Sequence, residues 1–157
     1  MNLSKIFEKF GLKKISLNAV FGQLDFEFSD GDREAAWDMY VELITRVTTQ
    51  PLVLESGDEK SALGSIYMLF PATRSVLKGK GRQAVNFTKI AVVVLNQVIR
   101  PFTAKWHRKM MLGAFENVNE CKQFRGELEV LQEDLRKYSR ILANMAEVED
   151  LTKLDED

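Results

Sequence analysis

At 157 residues the chain is long enough to bury a real hydrophobic core and short enough to expect one domain. Its 45% hydrophobic and 29% charged residues and net charge of -1 are ordinary for a soluble globular chain, so bulk charge says nothing about partners. A single cysteine, Cys121, excludes an intrachain disulfide and fits a cytoplasmic location; with one histidine, His107, the common Cys/His zinc sites are excluded, no spaced carboxylate motif suggests another metal, and no cofactor is expected.

The first fourteen residues read as a short basic amphipathic helix. Leu3, Ile6, Phe7 and Phe10 share one face, Lys5, Lys9, Lys13 and Lys14 lie elsewhere, and Gly11 closes the segment. Such a helix either docks on its own domain or stays partly loose, the expectation here, or rests on a membrane surface. It has no apolar run of the kind a secretory signal requires.

Residues 15 to 146 read as one mainly α domain: a bundle of about four helices behind a small N-terminal β-hairpin or strand. The β expectation comes from Ile15 to Phe28. Ile15, Leu17, Ala19 and Phe21 alternate in one phase and Leu24, Phe26 and Phe28 in another, with a slip near Gly22. Ser29-Asp30-Gly31-Asp32 is a helix start with acids in the first turn. The helix is expected from Arg33 to about Thr48, burying Ala36, Trp37, Tyr40, Val41, Ile44 and Val47, and Gln50-Pro51 ends it. A second helix is expected over Glu59 to Lys78, interrupted by Pro71. Lys78-Gly79-Lys80-Gly81-Arg82 is the turn after it.

From Val85 the apolar residues fall nearly all round a helical wheel, which predicts a central helix buried on most sides. The run is broken by Lys89, Asn96 and Arg100 before the roughly 20 residues a membrane span needs. Asn86, Lys89, Asn96, Arg100, Thr103 and His107 would share one face of a continuous helix. Pro101 is expected to kink it and free carbonyls near Gln97. Asn96 and Arg100 then either support the kink or form a small polar site there.

Beyond Gly113 a long helix is predicted from about Glu116 to Val148. Cys121, Phe124, Leu128, Leu131, Leu135, Tyr138, Leu142 and Met145 recur in three-four steps, an a/d seam over about three and a half heptads. The seam either packs across the bundle or pairs with a second chain as a coiled coil. In the second case Phe124, Leu128, Leu131, Leu135, Tyr138 and Leu142 form the oligomer interface. Residues 147 to 157 are acidic and expected to be disordered.

The charge is segregated. Between Lys60 and Phe115 there are ten Lys/Arg and no Asp or Glu, so +10 in this block faces -11 in the rest of the chain. Either the block packs beside acidic helices of its own assembly, or it presents a basic face to the phosphates of nucleic acid or a nucleotide. Arg74, Lys78, Lys80, Arg82, Asn96, Arg100, Lys105, His107 and Arg108 are the candidate anion-binding residues. The glycines at 79 and 81 do not form a P-loop, because the required G-x-x-x-x-G-K-[ST] order is absent.

One catalytic pair is available. Arg100 and His107, in RPFTAKWH, have an R-x6-H spacing that in an all-helical domain resembles the HEPN family. The resemblance covers only these eight residues. It implies an RNase acting at a dimer interface, with the histidine as acid or base and the arginine on the scissile phosphate.

Three functional expectations follow. The first is a non-enzymatic interaction or regulatory subunit that self-associates through its long C-terminal helix, or meets a hetero-partner protein. The second is a phosphate-binding module that docks nucleic acid or a nucleotide through residues 60 to 115. The third is a HEPN-like RNase using Arg100 and His107.

Overall fold

The computed structural model describes residues 2–18, 22, 23, 25, 27–54 and 57–153. It is mainly α. Among the described residues five rods make up the bundle: α1 (Leu3–Lys9), α2 (Asp30–Ile44), the bent pair α3 (Glu59–Tyr67) and α4 (Leu69–Lys80), the continuous pair α5 (Val85–Val94) and α6 (Arg100–Met111), and α7 (Val118–Ala146). No helix among the described residues is long and apolar enough to cross a membrane.

The bundle is centred on α2, which packs along α7, α4 and α5. Ala35, Ala36, Met39, Tyr40 and Leu43 of α2 are all wholly buried. Two expectations change here. The buried stripe is shifted by about one residue, leaving Trp37 44% exposed. Moreover, α5 is not the helix enclosed on most sides. It buries Phe87, Ile90, Ala91 and Val94, while Val85 and Val92 face solvent. The small side chains of Ala35 and Ala36 let neighbouring helices approach α2 closely, so α2 takes the middle.

The start of α2 also locks the corner between α4 and α5. Ser29 and Asp32 form a reciprocal capping box. Buried Asp32 accepts a second hydrogen bond, at 2.8 Å, from the Phe87 backbone N–H in the first turn of α5. That N–H has no partner within its own helix. Ser29 Oγ donates to the Gln83 carbonyl at 2.7 Å. A Cβ on Gly31 would sit 2.4 Å from that same carbonyl oxygen, so only glycine allows the approach.

Pro71 sits in the first turn of α4, where its missing N–H costs nothing, and the bend falls earlier, at Met68. Before Pro101 the structure uses a specific device, and α5 and α6 run on as one rod. The five residues Leu95–Ile99 form a π turn, and the Arg100 N–H donates to the carbonyl five residues back, at Leu95. Gln97, whose carbonyl Pro101 cannot reach, uses its side chain on the N-terminal segment. Its amide oxygen accepts from the Ser16 N–H at 2.7 Å and its amide nitrogen donates to the Ser16 carbonyl at 2.8 Å.

That clasp bears on the β expectation. Among the described residues there is no strand, only an isolated bridge between Asn2 and Asp25. Ile15 to Asn18 has no regular structure, and Gln97 supplies the pairing that a second strand would have given Ser16. Ala19, Val20, Phe21, Leu24 and Phe26 of the proposed ribbon lie outside the described residues. Helix α1 docks on its own bundle, with Leu3, Ile6 and Phe7 nearly fully buried.

The seam of α7 packs inward. Phe124, Leu128, Leu131, Leu135, Tyr138 and Leu142 are 0–4% exposed within the single chain. The polar side of α7 holds the loop between α2 and α3. Gln132 donates to the Val47 and Gln50 carbonyls, and Arg125 to those of Leu52 and Gly57. These contacts satisfy backbone that has no helix or sheet to do so. After α7 the chain turns through Glu147, at a left-handed φ of 58°. The acidic segment is then strapped back. Leu151 N–H donates to Tyr40 Oη at 2.6 Å, Arg33 pairs with Glu147, and Arg140 lies 3.7 Å from Asp150. The described part of the tail is thus ordered by cations and a tyrosine that its acids and backbone meet. Residues 154–157 lie outside the described residues.

Candidate functional site

The ten cations of the acid-free block divide into two groups. Three reach acids on other helices: Lys80 to Glu34 and Asp38 of α2, Lys105 to Glu127 of α7, and Lys109 to Glu120 of α7. Lys105 and Trp106 Nε1 both donate to Glu127, as does Gln123. Burial pushes the Glu127 carboxyl up, but these three donors outweigh it and hold the group below its ordinary value. Trp106 is wholly buried against the rings of Phe115 and Phe124, so this pairing fixes α6 onto α7. The internal explanation of the charge segregation therefore accounts for these three.

In the second group, Arg74, Arg100 and Arg108 form no ion pair among the described residues. Arg74 on α4 and Arg100 and Arg108 on α6 line one cleft of about 330 Å³, together with His107, Tyr67 and Phe70. No carboxylate among the described residues lines it. Helical spacing explains the convergence. Arg100 and His107 are two turns apart on α6, and Tyr67, Phe70 and Arg74 recur in three-four steps across the α3–α4 bend. Arg100 Nε donates to Asn96 Oδ1 at 3.0 Å, and its guanidinium lies 4.8 Å from the centre of the Phe70 ring. A cation held on an aromatic face keeps its N–H groups at the edge available for an anion. The His107 ring stacks on Tyr67, with centroids 6.4 Å apart and planes 26° from parallel.

Of the candidate anion-binding residues, Arg74, Arg100, His107 and Arg108 are thus brought together, with Asn96 positioning Arg100. Lys80 and Lys105 are committed to acids elsewhere. Lys78 and Arg82 are exposed and lie outside the cleft. The polar stripe read along the central helix splits at the π turn. Asn86 turns to the Glu27 carbonyl and Asp32, whereas Asn96, Arg100, Thr103 and His107 serve the α4–α6 side.

Tyr67 and Phe70 are the residues that sequence reasoning missed as site walls. Tyr67 recurs one full heptad before Arg74 and is 54% exposed, and that spacing was the available signal. Burial and nearby Glu59 push the Cys121 thiol up, and its sulfur donates to the Phe115 carbonyl. No cluster of His, Cys, Asp and Glu among the described residues is arranged to hold a metal.

Comparison with protein-family models, curated proteins and solved structures finds no match for this chain.

Proposed function

We propose that the chain is a non-enzymatic phosphate-recognition module that holds a nucleotide or single-stranded nucleic acid in the cleft between α4 and α6. One observation carries this reading: three arginines from two helices, with His107, line a single cleft that holds no acid among the described residues. Arginine forks suit phosphate geometry, and the Tyr67–His107 stack and Phe70 offer flat apolar surface beside them. The heptad-seam side chains are buried inside one chain, which favours this reading over self-association through them.

The test is binding of a labelled single-stranded oligonucleotide across a salt series. Wild type should lose affinity steeply as salt rises, since phosphate contacts release counterions. Arg74→Glu combined with Arg108→Glu should weaken binding by at least about tenfold and flatten the salt slope. Equal affinity for the wild type and the double variant removes the proposal.

A second reading is favoured by one fact. Arg100 and His107, the pair that resembles the HEPN motif, line the same cleft. On that reading the cleft cleaves RNA, with His107 moving the proton and Arg100 on the phosphate. It requires cleavage that His107→Ala abolishes while binding and fold persist. Intact RNA after prolonged incubation with wild type rejects it.

A further inference from the structure

The cleft has a neighbour of opposite character. A cavity of about 230 Å³ opens between α3 and α6 and shares three wall residues with the arginine cleft: Tyr67, Thr103 and His107. Its other walls include Leu63, Gly64 and Met110, with Lys60 at the edge. The Thr103 hydroxyl is committed to the Ile99 and Arg100 carbonyls. The cavity is therefore an apolar slot opening beside a basic cleft. Ligand pockets usually run from about 300 to 1,000 Å³, so this one suits a single flat ring system, not a whole ligand.

Gly64 gives the slot its clearance. It stands in the interior of α3, where glycine costs about 1 kcal/mol relative to alanine. A Cβ there would meet no atom within 4 Å, so no packing contact demands the glycine. What a larger residue would remove is open space in the slot.

We propose that the slot takes a nucleobase, so that the unit recognised is a mononucleotide: the base lies against Tyr67 and His107 in the slot, and its phosphate meets Arg100, Arg74 and Arg108 in the adjoining cleft. This deepens the phosphate-recognition reading and rests on it. The apolar walls read a ring face and not a hydrogen-bonding edge, so discrimination among bases is weak, with purines favoured for their larger stacking surface. A free nucleotide and the 5′-phosphorylated end of a single strand present the same chemistry.

The test titrates the full chain with adenosine monophosphate, ribose 5-phosphate and a 5′-phosphorylated tetra-adenylate, and repeats the series with Gly64→Leu and Arg100→Ala. Wild type should bind the monophosphate at least about tenfold tighter than ribose 5-phosphate, an increment the stacked base supplies. Gly64→Leu should erase that increment and leave ribose 5-phosphate binding unchanged, which also reports that the variant folds. Tetra-adenylate binding as tightly as the monophosphate, or only the free monophosphate binding, identifies the source, and either supports the slot. Equal affinity of wild type for monophosphate and ribose 5-phosphate, with both lost in Arg100→Ala, overturns the slot while the phosphate cleft stands. Absence of binding by all three probes overturns the phosphate reading as well.

Discussion

Asn96 Oδ1 accepts a hydrogen bond from Arg100 Nε at 3.0 Å, one turn along the α5–α6 rod, and so holds the guanidinium over the Phe70 ring. Arg100 is 4.8 Å from that ring centre and has no acidic partner among the described residues to fix it. Removing the amide frees the side chain to sample other rotamers, at an entropy cost on rebinding of about 1 kcal/mol. Asn96→Ala should therefore weaken phosphate-ligand binding about three- to tenfold, as read by titration, with the melting temperature nearly unchanged because Asn96 is exposed. Asn96→Asp should weaken binding through its added charge even though it can still accept the bond.

Asp32 serves two helices at once, closing the capping box of α2 and accepting the Phe87 N–H of α5. Asp32→Ala removes a cap worth about 1 kcal/mol and strands a buried N–H worth about 1–3 kcal/mol. The expected loss is about 2–4 kcal/mol in urea unfolding. Gly31→Ala should be destabilising too, since its Cβ would press on the Gln83 carbonyl.

Tyr138 behaves in the opposite way. Its hydroxyl is buried without a hydrogen-bond partner among the described residues, and burial pushes the phenol far above its usual range. Tyr138→Phe removes the unsatisfied group and keeps the ring. It should leave stability unchanged or raise it by up to about 1 kcal/mol in the same unfolding assay.

The seam of α7 is tested by charge. Leu135 is wholly buried inside its own chain. Leu135→Asp should unfold the protein, costing more than about 3 kcal/mol, and should not convert a folded oligomer into a folded monomer. Circular dichroism with light scattering separates the two results, and a folded monomeric variant would show that the seam pairs between chains.

Glu127 sets the acid sensitivity of the α6–α7 contact. Its carboxyl lies below its ordinary value of 4.5 in the folded chain. The stability it contributes is fully present above the unfolded value and is lost as pH falls through the folded one. Stability should therefore decline as pH drops below about 4.5. Glu127→Gln should be less stable near neutrality and less sensitive over that acidic range, as followed by thermal melts at pH 3–6.

The sequence carried the helical content and the long α7 clearly, because Phe124 to Met145 repeat without a break. It carried the arginine cluster only in part. Arg100 and His107 share a face through simple periodicity, but Arg74 joins them through the Met68 bend, which propensity does not announce. The centre of the bundle was misplaced because hydrophobicity favours the valine-rich α5, whereas packing favours small residues, and Ala35 and Ala36 score low on any apolar scale. The Ser16 segment alternates like a strand, yet its pairing comes from a glutamine 81 residues away. The destination of Lys80, Lys105 and Lys109 could not be read locally, since each pairs with an acid on another helix.

The π turn at Leu95–Ile99 also works as an aiming device. It accommodates one residue more than the same length of α-helix would, and one residue corresponds to about 100° of rotation at 3.6 residues per turn. Were the same five residues wound as α-helix, the extra one would swing the whole of α6 by that angle. Arg100, His107 and Arg108 would then face away from Arg74. The cleft depends on how the backbone is wound at this turn as much as on side-chain identity.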